Sequence, residues 1–102
     1  IVNKMVPALL AGNSVIIKVS SESPISAAIL AEVLMQAQLP GGLVNIIVTN
    51  DEDVKKLFYT HPGLKAVCLT GRIETAQSVL QSIAQNNLQS FKKVQISTGS
   101  KN

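Results

Sequence analysis

The chain has 102 residues, of which 46% are hydrophobic and 3% aromatic, and nine Lys and Arg against six Asp and Glu give a formal net charge of +3. This length and composition are typical of one modest globular domain and exclude a disordered chain. The basic residues are scattered along the sequence and the aromatic residues are few, which argues against a nucleic-acid partner.

The first predicted element is a helix over residues 5–12, MVPALLAG. It ends at Gly12-Asn13, a pair that is typical of helix C-termini because glycine adopts the left-handed conformation readily. Pro7 lies inside this segment and either kinks the helix or starts it. The apolar run VIIKV then predicts a strand over residues 15–19.

A second helix is predicted over residues 24–38, with Ser23 as its N-cap and Pro24 at its first position. The run VNIIV predicts a second strand over residues 44–48. Residues 51–60 begin with acidic side chains and continue with lysines, which is the order that a helix dipole favours, so a third helix is predicted there.

The alternation continues with a strand over 64–70, a helix over 72–87 and a strand over 92–97. This order predicts an α/β fold: a Rossmann-like parallel sheet with helices on both faces, as in part of a doubly wound nucleotide-binding domain. We expect the four strands to form one sheet whose core includes Val15, Ile17, Ile46, Val48, Val67 and Leu69.

A single cysteine and a single histidine argue against a disulfide and a Cys/His metal site, so no metal is expected. Cys68 lies in an apolar strand and is interpreted as a buried structural thiol. His61, before Pro62-Gly63, is interpreted as a turn residue, and the acidic residues 51–53 as a helix cap.

No apolar run approaches the ~20 residues that a membrane span needs. We therefore expect no membrane partner and a cytoplasmic location. The sequence begins at Ile1 and not at Met, and we expect it to be an incomplete segment of a longer protein.

Function is expected after the strands, because ligands of such sheets bind outside the carboxyl ends of the strands. Generic nucleotide motifs give no assignment there. The dinucleotide fingerprint of three spaced glycines does not occur in the sequence, and neither does a phosphate loop of the Walker type.

Four stretches nevertheless form a specific pattern, with Ala-Gly-Asn before one strand, Leu-Pro before the next and Thr-Gly after a third. They lie at residues 7–27, 38–48, 60–75 and 94–102. In order and spacing they resemble the cofactor-binding domain of the NAD(P)-dependent aldehyde dehydrogenase superfamily, over essentially the whole chain. The resemblance implies NAD or NADP as cofactor and a parent enzyme that oxidises a small-molecule aldehyde to an acid. It also implies that residues 1–102 are a partial dinucleotide-binding domain and that the catalytic domain is absent.

The resemblance assigns the adenosine side of the cofactor to residues near the first two strands. Lys18 matches the lysine that bonds the ribose hydroxyls, and Ser20 belongs to the same motif. Ser21 replaces the glutamate that usually shares the ribose. Thr49 replaces a glycine where the backbone approaches the adenine, so we expect its β-branched side chain to crowd that pocket.

The pyrophosphate is assigned by the resemblance to a helix start. Thr70-Gly71 retains the family's pair, where free N–H groups and the helix dipole receive anions. Arg72 stands where the family has serine, and either adds a phosphate contact or is solvated surface. Thr75 belongs to the same cofactor-binding stretch, and Ala76 replaces a frequent glycine.

The last stretch matches the strand and turn that carry the family's general-base glutamate. Ser97 occupies that position, and a serine hydroxyl cannot accept a proton near neutral pH as a carboxylate does. Thr98 and Gly99 are implied to lie near the nicotinamide, whereas Ser100 replaces a second glycine. We therefore predict no catalytic residue in the chain and no activity of the isolated chain.

Two functions stay open. One is the cofactor-binding part of an aldehyde dehydrogenase. The other is a degenerate, non-catalytic α/β domain with a structural or association role, a reading that the substituted positions favour, whereas Lys18 and Thr70-Gly71 favour retained binding. A homo-oligomer is compatible with both. An unrelated flavodoxin-like module would require four accidental matches.

Overall fold

Four helices and four strands alternate along the chain in a computed structural model that describes residues 1–86 and 92–99. Helices α1 to α4 span Val2–Leu10, Pro24–Gln36, Asp51–Leu57 and Ile73–Asn86, and strands β1 to β4 span Val15–Val19, Val44–Val48, Ala66–Gly71 and Lys93–Thr98. The chain divides into two compact units, Ile1–Asn50 and Asp51–Asn102.

In the first unit, β1 and β2 pair in parallel from Val15↔Val44 to Val19↔Val48. Parallel neighbours need a crossover, and α2 provides it. Alternate residues of a strand point to the same side. One face of β1 therefore packs with residues of α1 and α2 in the core cluster of this unit. Its buried members are Met5, Ile17, Val19 and Ala27.

Both helices of the first unit are followed, two residues after their last residue, by a residue with positive φ. At the end of α1, Gly12 has φ +87, its N–H donates to Leu9 O at 3.0 Å, and the Asn13 N–H donates to Ala8 O at 3.1 Å. This is the Schellman arrangement, which satisfies the last carbonyls of a helix. After α2, Gln38 takes the corresponding left-handed position with φ 51.

In the second unit, β3 and β4 also pair in parallel, from Ala66↔Lys93 to Gly71↔Thr98, with α4 as the crossover. Exposed and half-buried residues alternate along β3, so that one face is packed and the other is open. The packed face joins the core cluster whose buried members are Val54, Tyr59, Val79 and Ile83.

The predicted α/β class, element order and parallel pairing are confirmed. Pro7 lies within α1, so the proline neither starts nor ends that helix. The strands lie in two sheets of two, β1-β2 and β3-β4, and not in the single sheet of four that we expected. Hydrophobic periodicity identifies a strand and its faces, but it does not specify which strand lies beside it.

The predicted core is largely correct. Ile17 is buried, and Val15, Ile46, Val67 and Leu69 are partly buried against the two clusters. Val48 is the exception, with 49% of its surface exposed. It is the last residue of β2 and is not among the described residues that pack on the first cluster, so this apolar side chain at a strand end stays exposed.

Candidate functional site

The carboxyl ends of β1 and β2 lie side by side in the first unit. Val19 and Val48 are the last paired residues, so Ser20 and Thr49 follow at the same edge. Ser20 organises the turn that leads into α2: its Oγ accepts the Glu22 N–H at 3.3 Å, and its carbonyl accepts the Ser23 N–H at 3.0 Å.

The side chains of this first end differ in exposure. Lys18 and Thr49 are half-buried, whereas Ser20, Ser21 and Glu22 are exposed. Lys18 pairs with Ile47 across the strands, on the face opposite the packed Ile17 and Val19. The structure thus brings Lys18, Ser20, Ser21 and Thr49 to one end of one strand pair.

The carboxyl ends of β3 and β4 lie side by side in the second unit. Thr70 pairs with Ser97, and Gly71 pairs with Thr98, so the assigned pyrophosphate and nicotinamide positions share one edge. Both Thr70 and Ser97 are exposed. Gly99 follows the last pair, and Ser100 lies outside the described residues.

Arg72 joins this edge to α4. Its carbonyl accepts the Ala76 N–H at 3.0 Å, which makes Arg72 the N-cap residue, and its side chain is exposed. The first N–H groups of a helix have no intrahelical acceptor and attract anions. Glu74 in the first turn opposes that attraction by like charge, and Thr75 is half-buried beside it.

Gly71 and Gly99 leave their backbones open to close approach. Neither glycine is among those with positive φ, so the turn itself does not demand them. A Cβ built at Gly71 would meet only Leu69 Cδ1, at 4.0 Å, and one built at Gly99 would have no atom within 4 Å. Local packing therefore does not require glycine at either position.

The interpretation of Cys68 as a buried thiol is wrong. Cys68 is exposed, and its Sγ lies 3.8 Å from Gln95 Oε1 on the open face of the strand pair. The strand alternates its faces, and Val67 and Leu69 take the packed side, so the residue between them points the other way. Apolar neighbours in sequence concealed this orientation.

His61 is a turn residue, as predicted. Its Nδ1 accepts the Gly63 N–H at 3.0 Å, which stabilises the turn before β3. The acidic residues 51–53 form the first turn of α3, where Glu52 bonds Lys55 at 3.0 Å. Within residues 1–86 and 92–99, no group of three or more His, Cys, Asp or Glu side chains could hold a metal ion.

Sequence reasoning missed two features of these ends. Glu74 was not considered, although an acidic residue in a first helical turn is a readable signal. The contacts of Lys92 with two backbone carbonyls were not foreseen, because nothing in the pair Lys92-Lys93 distinguishes one lysine from the other.

Of the helices that the structure describes, none is both long and apolar enough for a membrane span.

Comparison with known proteins identifies what the chain is similar to. A profile of the aldehyde dehydrogenase family matches residues 1–102. The betaine aldehyde dehydrogenase of Agrobacterium fabrum is 41% identical over 81 residues, which are 79% of this chain and 16% of that protein. The chain thus spans about a sixth of the length of the curated relatives it matches.

Solved structures give the same result. An aldehyde dehydrogenase from Bartonella henselae is 32% identical with a TM-score of 0.82, over 96% of this chain and 20% of that one. The P. syringae indole-3-acetaldehyde dehydrogenase AldA, in complex with NAD+ and IAA, is 30% identical with a TM-score of 0.79, over 94% and 19%.

Proposed function

The chain belongs to the aldehyde dehydrogenase family, and we propose that it forms part of the dinucleotide-binding region of an enzyme that oxidises an aldehyde with NAD or NADP. The single observation that carries this proposal is the placement of the assigned residues. Every one of them lies at, or directly after, the carboxyl end of a parallel strand pair or in the first turn of α4. Ligands of such sheets bind at these ends.

The residues fit a dinucleotide by their donor chemistry. Lys18 offers an ammonium for the ribose hydroxyls, and Ser20 and Ser21 offer exposed hydroxyls beside it. The first turn of α4 offers backbone N–H groups to a phosphate, with Gly71 leaving the approach open. Two features weaken the fit, namely the half-buried Thr49 and the negative charge of Glu74.

The dinucleotide, when bound, accepts the hydride of the oxidation, and this chain contributes binding and orientation. Ser97 is exposed. Its hydroxyl does not accept a proton from water or a thiol near neutral pH, as a carboxylate would. Cys68 lies in β3 and bonds Gln95, away from the strand ends. We expect no aldehyde-dependent NADH formation by the isolated chain, and any turnover that Cys68→Ala abolished would contradict this assignment.

Binding by the isolated chain is expected to be weak. Charge-assisted contacts at Lys18 and at the α4 start contribute about 1–3 kcal/mol each. Association costs at least ~4 kcal/mol, so the expected dissociation constant is about millimolar or weaker.

Calorimetry with NAD and with NADP tests the proposal. The double variant Ser21→Glu with Thr49→Gly restores a ribose acceptor and opens the adenine side, so it should bind NAD more tightly than the unmodified chain. Ser14→Glu is the matched control, because it adds the same charge before the opposite end of β1. Micromolar binding by the unmodified chain contradicts the expected weakness, and a folded double variant with no gain contradicts the assigned pocket.

A degenerate domain with an association role is the second candidate. It is favoured by the outward face of α2, where Ile25, Ile29 and Val33 are exposed. If this candidate is correct, neither the unmodified chain nor the double variant binds a dinucleotide. Ile29→Lys then lowers the self-association that sedimentation measures. A homo-oligomer and a cytoplasmic location belong to the proposals in both cases.

A further inference from the structure

Lys92 connects the start of β4 to the turn before β3. Its half-buried side chain places Nζ 2.7 Å from the carbonyl oxygen of His61 and 2.7 Å from that of Leu64. The neighbouring backbone adds a third bond, from the Lys93 N–H to Lys65 O at 3.0 Å. Hydrogen bonds with a charged donor are short and stronger than neutral ones.

The packed face of β4 leaves part of its register unspecified. Val94 and Ile96 are half-buried, while Lys93 and Gln95 are exposed. A shift by one residue would exchange these faces and bury charge, so the hydrophobic pattern forbids it. A shift by two residues keeps every side chain on its face, and the pattern alone does not forbid it.

The Lys92 contacts exclude this second kind of shift. Two residues of a parallel strand span about 6.6 Å, at roughly 3.3 Å each. Such a displacement would remove the ammonium from both carbonyl oxygens. At the opposite end of the pair, it would place Gln95 or Gly99 beside Thr70 in place of Ser97.

We propose that Lys92 is a positioning residue that fixes the register of β4, so that Ser97 lies beside Thr70 at the candidate site. The consequence for a cofactor rests on the proposed function, whereas the register itself does not. Lys93, one residue later, is exposed and serves as the matched control.

The test compares Lys92→Met, Lys92→Arg and Lys93→Met in the full chain by NMR without ligand. In Lys93→Met, proton contacts between Thr70 and Ser97 should persist. In Lys92→Met they should weaken, with new contacts from Thr70 to Gln95 or Gly99, and Lys92→Arg should restore them because arginine keeps the charged donors. Undiminished Thr70–Ser97 contacts in Lys92→Met would overturn the proposal.

A second measurement covers a variant that fails to fold. In the unmodified chain, the ammonium protons of Lys92 should exchange with water about tenfold more slowly than those of Lys93, since two carbonyls hold them. Equal rates would overturn the proposal. Added NAD separates it from the proposed function: if the register contacts respond as stated but NAD does not bind, only the proposed function fails.

Discussion

The two units build the same motif, a parallel strand pair joined by a helix, from different sequence patterns. In the first unit, α2 is apolar on both sides: Leu30 and Leu34 pack on the cluster, while Ile29 faces outward with 59% of its surface exposed. In the second unit, α4 buries one stripe only. A helix that is apolar all round is typical of an element covered on both sides, and an amphipathic helix of one with a solvated face.

The strands repeat this contrast. Those of the first unit are nearly continuous apolar runs, whereas those of the second alternate apolar and polar residues. Strands covered on both faces have the first pattern, and strands with a solvated face the second. Equal topology therefore does not imply equal surroundings, and three experiments test this difference.

The largest effect is expected where one face of β1 is packed and the other is not. Ile17 is 7% exposed and its neighbour Ile16 is 47% exposed. Ile17→Ala should lower the free energy of unfolding by about 2–4 kcal/mol, and Ile16→Ala by less than about 1 kcal/mol. Denaturant titrations of the two variants measure this, and equal losses would show that the outward face of the first unit is also packed.

A smaller effect is expected from the way the helices end. Gln38 occupies a left-handed conformation that strains a residue with a Cβ, so Gln38→Gly should stabilise the chain by roughly 0.5–1 kcal/mol. The same exchange at the exposed Gln81, inside α4, should destabilise it by about 1 kcal/mol. Thermal unfolding of both variants decides, and the same sign at both positions would contradict the described backbone.

The smallest effect depends on pH and belongs to the second unit. Burial of the phenol, and secondarily the negative charge of Asp51, raise the pKa of Tyr59. Below about pH 10 the tyrosine is protonated in both states, and above it the unfolded chain loses the proton first, so stability falls as pH rises. The slope cannot exceed about 1.4 kcal/mol per pH unit.

Tyr59→Phe isolates this contribution, because the lysines that titrate in the same range are present in both chains. Unfolding free energies measured from pH 8 to 11 should diverge above pH ~10, with the unmodified chain losing more. Parallel curves for the two chains would mean that Tyr59 does not titrate differently on folding.

Much of the fold was predictable because each element is a local pattern. The bounds of β1 and β2 are as predicted, and the start of α2 at Pro24 follows from proline's fixed φ. The division of the strands into two sheets, the exposed thiol of Cys68 and the exposure of Val48 were not predictable. Each depends on what lies against a strand, which the sequence of that strand does not contain.

The candidate site shows the same division. The positions after the strands follow from topology, and the resemblance named the chemistry expected there. The counteracting charge of Glu74 is readable from its place in a first helical turn. The carbonyl contacts of Lys92 are not, because they depend on packing between segments that are distant in sequence.

We propose that both units contribute cofactor contacts at the carboxyl ends of their strands. Amide chemical shifts of the labelled full chain, recorded during titration with NAD, test it most directly. We expect shifts at Ser20 and Thr49 in one unit and at Gly71 and Thr98 in the other. Shifts concentrated at the opposite strand ends, around Asn13, Leu43 and Lys65, would contradict it.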